Sequence, residues 1–260
     1  MTTPKIQTIS RGGSRFYVNP VTNDKVPGVT SILSMLPKPF LQHWAAKMVA
    51  EHAVDNVSSY IGLVMHGQRQ AAVDLLKAAP RRYTTERADI GTDVHDAFDQ
   101  LSKGETLGRV TPEVEPYLKH FDQFVKDFQP NFLMTEETIF SDKHRYAGTF
   151  DWIAEIGGEV VVGDWKTTRQ TYPEVGLQLA AYRYADYVQR SDGAQVPLPK
   201  NISGGAVFHM SPDAYELIPM KCDEEIFEVF LALRNTVFEW DKDISKRVMG
   251  KPLAPLFKGA

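Results

Sequence analysis

Two aspartates and a lysine stand at the ends of neighbouring apolar runs. Asp151 closes Gly148-Thr-Phe-Asp, and Asp164 and Lys166 follow Val160-Val-Val-Gly. Along an extended strand alternate side chains share a face, so Asp164 and Lys166 point the same way, about 7 Å apart, while Trp165 points to the other side. A tight turn at Gly157-Gly158 brings the preceding strand back alongside, and Asp151 then comes beside Asp164. Two adjacent carboxylates repel, and each is pushed toward protonation unless a cation lies between them. Two carboxylates and a backbone carbonyl suit Mg2+ or Mn2+, which take oxygen ligands and keep waters for a substrate phosphate, better than zinc. Taken alone, Asp-x-Lys also fits a strand-end ion pair on a solvated face.

The elements that must position these groups are legible around them. Residues 131–140 and 146–156 read as two strands of a hairpin turning across Ser141-Asp-Lys-His-Arg, and 159–166 as a third strand. Pro173-Glu174 opens a helix expected to last to about Arg190; 204–208 and 215–220 are further strands, and 223–240 a last helix. Upstream, Phe16-Tyr-Val-Asn-Pro reads as a short strand, and helices are expected from Thr30, over 40–55 and 60–78, and from Asp93. Val114, Tyr117, Leu118, Phe121, Phe124, Val125 and Phe128 mark one stripe of a helix over 112–128. Strands, a helix, then more strands give an α/β (α+β) fold, a mixed sheet flanked by helices. An N-terminal helical region over 1–90 and a core over 91–260, packed as one compact unit, are expected.

Composition bounds the chemistry. At 260 residues, 43% hydrophobic and 24% charged, the chain is neither disordered nor fibrous. No apolar run spans a bilayer and the N-terminus lacks a secretory pattern, so a cytoplasmic location and no membrane partner are expected. The single cysteine, Cys222, excludes an intrachain disulfide framework and an iron–sulfur cluster held by four cysteines. Net charge is −4, yet residues 1–90 carry eleven Lys and Arg against six Asp and Glu, so the acid is concentrated where the motifs lie. A carboxylate-rich site serving a polyanion needs a mediating cation and basic flanks to steer it. Lys242, Lys246, Arg247, Lys251 and Lys258 offer a second basic patch.

Gly148-Thr-Phe-Asp151, Gly163-Asp-Trp-Lys-Thr167 and Gln178-Leu-Ala-Ala-Tyr182, preceded by Gly91-Thr-Asp-Val-His95, form an ordered set of four motifs. The set resembles the PD-(D/E)XK nuclease superfamily, in its RecB-like branch, which includes phage exonucleases and CRISPR-associated nucleases. The match spans residues 91–182; Val26-Pro-Gly-Val-Thr-Ser-Ile-Leu and Trp44 are similar to the lead-in of phage members. The chain departs from the CRISPR-associated members in lacking their four cluster cysteines, which favours a stand-alone phage-type enzyme.

The resemblance implies a restriction-endonuclease-like core and a Mg2+- or Mn2+-dependent deoxyribonuclease holding one or two ions. His95, Asp151, Asp164 and the carbonyl of Trp165 are implied as ligands. Lys166 would orient or deprotonate the attacking water, and Gln178 and Tyr182 would brace the site and contact the DNA backbone. An exonuclease leaving 5′-phosphate ends in phage recombination is expected, with DNA as partner and a phage recombinase or single-strand-binding protein as a further candidate. A structure-specific endonuclease or nickase, and a non-catalytic DNA-binding module, remain as alternatives. Of Glu136 and Glu137, strand parity lets only one face the site, and Glu136 is the candidate accessory ligand. Arg81, Arg82, Arg87, Arg145 and Arg169 are candidate phosphate contacts, with Lys143 beside Arg145. Trp44, Tyr83 and Phe40 are candidates to stack on bases, with core packing the alternative fate of Trp44.

Overall fold

The computed structural model describes residues 6–251, so Lys258 lies outside the described residues. In chain order the elements are strands β1 (Thr8–Arg11), β2 (Ser14–Val18) and β3 (Lys25–Pro27), then helices α1 (Val29–Leu33), α2 (Phe40–Asp55), α3 (Val57–Met65), α4 (Arg69–Lys77), α5 (Ala79–Ser102) and α6 (Glu115–Phe128). There follow β4 (Asn131–Ser141), β5 (Tyr146–Ile156), β6 (Glu159–Lys166), α7 (Glu174–Arg183), β7 (Tyr187–Gln189), β8 (Gln195–Val196), β9 (Ile202–Met210), β10 (Tyr215–Met220), α8 (Glu224–Ala232) and α9 (Ser245–Val248). The fold is mixed α/β. No described helix is long and apolar enough to cross a membrane.

The contacts divide the chain into two units. Residues 36–123 with 211–214 form a helical unit, and the described remainder forms the sheet unit. The boundary expected after residue 90 falls inside α5, which runs unbroken from Ala79 to Ser102. Pro80 sits in the first turn of α5, where its missing N–H has no intrahelical partner to lose. Within the helical unit Phe98 packs its ring 4.7 Å from that of Phe121, and both are buried.

Among the described residues the sheet unit holds a seven-stranded sheet in the order β10-β9-β6-β5-β4-β7-β8 and a three-stranded sheet β1-β2-β3. Neighbours in the larger sheet are antiparallel except β6 and β9, which run parallel from Val160↔Ile202 to Lys166↔His209. Gly157 and Gly158, with φ of 60° and 85°, make the two-residue turn between β5 and β6, a conformation glycine adopts without steric cost. The helix expected to reach Arg190 ends at Arg183. Tyr187 and Val188 instead pair with Phe140 and Ile139 on β4, so tertiary ladder bonds override local helix propensity. The last helix opens as expected on Asp223, whose side chain accepts from Ile226 N at 3.3 Å; past Ala232 it loosens into π-helical turns up to Ile244.

Both faces of the large sheet are covered. Gly205 and Phe208 on β9 have opposite parity. A side chain on Gly205 would strike Leu179 of α7, while Phe208 packs 4.6 Å from Phe124 of α6. Residues 174–183 therefore cover one face, and the C-terminal end of α6 the other. The α6 side is an aromatic core: Trp165 lies 5.2 Å from Trp152, 5.6 Å from Phe208 and 6.1 Å from Phe124, all fully buried.

Candidate functional site

At the end of β6 the alternation holds. Trp165 is 1% exposed within the aromatic core, and its neighbours Asp164 and Lys166 face α7. Asp164, also 1% exposed, forms an ion pair with Lys166 through Oδ2 and accepts from Gln178 Nε2 at 2.8 Å through Oδ1. Gln178 donates its other amide hydrogen to Tyr182 Oη at 3.1 Å; the two residues stand one turn apart on α7. Burial by itself would depress the Lys166 ammonium. The charges of Asp164 and Asp151 and the hydrogen bond to Asp164 together outweigh it, so its pKa is raised and the group is a firmly held cation. Burial chiefly, then the nearby Tyr17, Asp164 and Asp151, holds the Tyr182 phenol well above its ordinary range, so it remains a neutral hydroxyl.

Gly148 explains how Tyr182 comes so close. A Cβ there would stand 2.7 Å from Tyr182 Cε1 and 3.0 Å from Val29 Cγ2, so only hydrogen fits between α7, α1 and the strand. The Gly-Thr-Phe lead-in thus serves packing, and Thr149 Oγ1 lies 3.0 Å from Thr138 Oγ1 and 3.3 Å from Tyr17 Oη.

Asp151 sits where β5 breaks its own alternation. Phe150 packs on Tyr182 of α7, with ring centroids 6.3 Å apart, whereas Trp152, two residues on, joins Trp165 and Phe124 on the opposite side. A regular strand sends residues two apart to one face. The ladder shows the same defect: β4 and β5 pair at Thr135↔Trp152 and Glu137↔Phe150 with no pair between them, and Glu136 has φ 50°. Left-handed backbone at a non-glycine residue inside a strand is strained, and such irregularities re-aim side chains next to functional sites. Pairing of β5 with β6 also stops at Trp152↔Gly163, and the amide of Trp165 donates to Asp151 Oδ2 at 2.6 Å instead.

Consequently the expected partnership of Asp151 with Asp164 is only part of the arrangement. Glu136 and Asp151 bring carboxylate oxygens within 4.8 Å of one another, while Asp164 turns to Lys166 and Gln178. Glu137 leaves the site for Arg190 at 3.3 Å, so Glu136 is the member of that pair that reaches Asp151. Carboxylate oxygens on adjacent strands could hold a metal ion, and oxygen donors suit a hard divalent cation. Glu136→Gly is expected to leave stability unchanged or raise it by up to about 1 kcal/mol, because it releases left-handed strain and a like-charge contact. The same change should weaken divalent binding, and urea titration with calorimetry reads the two effects separately.

The remaining expected residues are spread over both units. His95 stands half-buried on α5 of the helical unit. Arg81, Arg82 and Arg87 lie exposed on the same helix; Arg82 donates to Leu75 O at 3.0 Å and its Nη2 lies 2.9 Å from His52 Nε2, and Arg87 covers the Tyr83 ring at 5.7 Å. Trp44 is half-buried with its ring 6.0 Å from Tyr83, and Phe40 is exposed. In the sheet unit Arg145 occupies the turn before β5 with φ 54° and faces Asp24 at 3.8 Å; Arg169 is exposed in the segment between β6 and α7.

One residue that the sequence did not single out stands beside Lys166. His209 is its register partner on β9, and His209 Nε2 meets Thr168 O at 2.6 Å. No motif signals this placement, because it depends on a parallel pairing between strands separated by a helix and two short strands.

No family model matches the chain. No curated protein matches it either. Among solved structures, one described as "Crystal structure of SSO0001" aligns with 53% of this chain and 68% of its own length, at 17% sequence identity and a TM-score of 0.26. A likeness of that size carries no argument about fold or function.

Proposed function

We propose that the chain is a divalent-metal-dependent deoxyribonuclease of the RecB-like PD-(D/E)XK type, acting as an exonuclease that leaves 5′-phosphate ends. The observation that supports it best is the state of Asp164, a buried carboxylate shared by Lys166 and Gln178 at the end of a strand whose neighbour presents Asp151. A buried charge is expensive unless several partners hold it, and this constellation bears that cost beside the carboxylates of Asp151 and Glu136. Asp151, Asp164 and the Trp165 carbonyl would hold Mg2+ or Mn2+, with Glu136 as an accessory oxygen donor. Such an ion polarises a phosphoryl oxygen and acidifies water.

The chain's own residues supply the rest. Lys166 offers ammonium hydrogens to the attacking water or the phosphoryl oxygens, at a position fixed by Asp164. The Trp165 amide fixes the rotamer of Asp151, and the Gln178 amide with the Lys166 ammonium fixes that of Asp164. Arg169, Arg145 and the arginines of α5 are the proposed phosphate contacts, and a cytoplasmic setting with DNA as partner accords with the chemistry.

Digestion of end-labelled linear DNA and of covalently closed circular DNA, each with Mg2+, Mn2+ or EDTA, tests the reading. Linear DNA should be degraded only with divalent ion, to products carrying 5′-phosphate, while circles persist. Nicking of circles would move the assignment to an endonuclease. Calorimetry that finds no Mg2+ or Mn2+ binding, or equal binding by Asp151→Asn, would overturn the metal centre itself.

A further inference from the structure

We infer that His209 is a positioning residue for Lys166, acting by pinning the segment that links β6 to α7. The ladder between β6 and β9 ends at Lys166↔His209, and parallel register partners project to the same face. Beyond that last rung the backbone of residues 167–173 leaves the sheet, and among the described residues no strand pairs with it. The imidazole extends the contact by two residues: Nε2 meets the Thr168 carbonyl at 2.6 Å, a short distance for N–H donation to oxygen. On the other side of the ring, Nδ1 faces Glu216 Oε2 of β10, the register partner of His209, at 3.8 Å. Thr168 in turn donates its hydroxyl to Gln170 O at 2.9 Å, and Thr171 Oγ1 is buried. The segment is therefore held down at its start.

That restraint bears on chemistry because of what the segment joins. Lys166 is the last residue of β6, and α7 delivers Gln178 to Asp164, the carboxylate that also holds Lys166. A loose segment would let the end of β6 and its ammonium drift relative to the Gln178 amide, and displacements of about 1 Å at a reacting centre cost up to roughly a hundredfold in rate. The polar contacts of His209 go to Thr168 and Glu216, neither of them a proposed cation ligand, so its effect is expected on turnover and not on ion binding.

The kinetic arm rests on the nuclease reading; the exchange arm does not. In His209→Ala, amide hydrogen exchange over residues 167–172 should rise at least tenfold. The kcat for linear DNA should fall roughly tenfold with unchanged half-saturation by Mg2+. His209→Gln, whose amide can still donate toward Thr168, should return both toward the parent. If the alanine variant does not fold, His209→Asn, too short to span the gap, takes its place. Unchanged exchange in the segment overturns the inference, as does a loss of kcat that glutamine fails to relieve. A parent chain with no nuclease activity would refute the proposed function, while exchange would still decide whether His209 pins the segment.

Discussion

Alanine at Lys166 is expected to slow divalent-dependent cleavage of linear DNA by roughly 10²–10³-fold, the loss that follows removal of a positioned cationic donor that stabilises developing charge. Its effect on stability should depend on the ion. Without divalent cation the variant leaves the Asp164 carboxylate, 1% exposed, with Gln178 but without its ammonium, and a loss of about 1–3 kcal/mol follows. Saturating Mg2+ should restore most of that loss, since a ligand that binds only the folded state stabilises it by mass action. The parent, whose Asp164 already has a counter-charge, should gain less. Thermal denaturation of both proteins with Mg2+ and with EDTA measures this, and an equal Mg2+ increment in the two would argue that the ion does not contact Asp164.

Gly163→Ala should be the most damaging single methyl in the sheet unit. A Cβ at this position would lie 1.9 Å from Trp152 Cε2 and Cζ2, far inside contact distance. Trp152 has nowhere to retreat, because Trp165, Phe124 and Phe132 surround it and all but Phe132 are fully buried. Overpacking of this kind costs about 3 kcal/mol or more where the neighbours cannot move. Urea denaturation should show the midpoint falling, and pairing the change with Trp152→Leu should recover part of it. An unaltered midpoint in the single variant would mean that the indole can relocate.

Asp164, Trp165 and Lys166 show what a sequence can disclose. Their faces follow from period-2 alternation alone, and the structure places Trp165 in the aromatic layer with its two neighbours toward α7. Gln178 and Tyr182 were likewise legible, since a spacing of four puts two residues on one side of a helix. Tyr187 and Val188 were not, because their strand exists only through pairing with β4. Asp151 was legible as a residue and illegible as a position. Its surroundings depend on φ 50° at Glu136, fifteen residues earlier, and nothing about a glutamate in a β-prone run announces left-handed backbone. His209 was invisible for a related reason: its meaning comes from Lys166, which reaches it across a parallel register that local pattern does not encode.

The changeover in β5 has a thermodynamic corollary. Phe150 answers to one packing layer and Trp152 to the other, so Asp151 is the residue that neither layer claims. Core side chains are conscripted by their apolar neighbours; at the seam a polar group does this instead, and for Asp151 that group is the Trp165 amide. A point mutation that restored regular alternation would tidy the ladder and return Asp151 to one of the two interiors. The sheet keeps its fault because a flawless strand would have no seat for a charge.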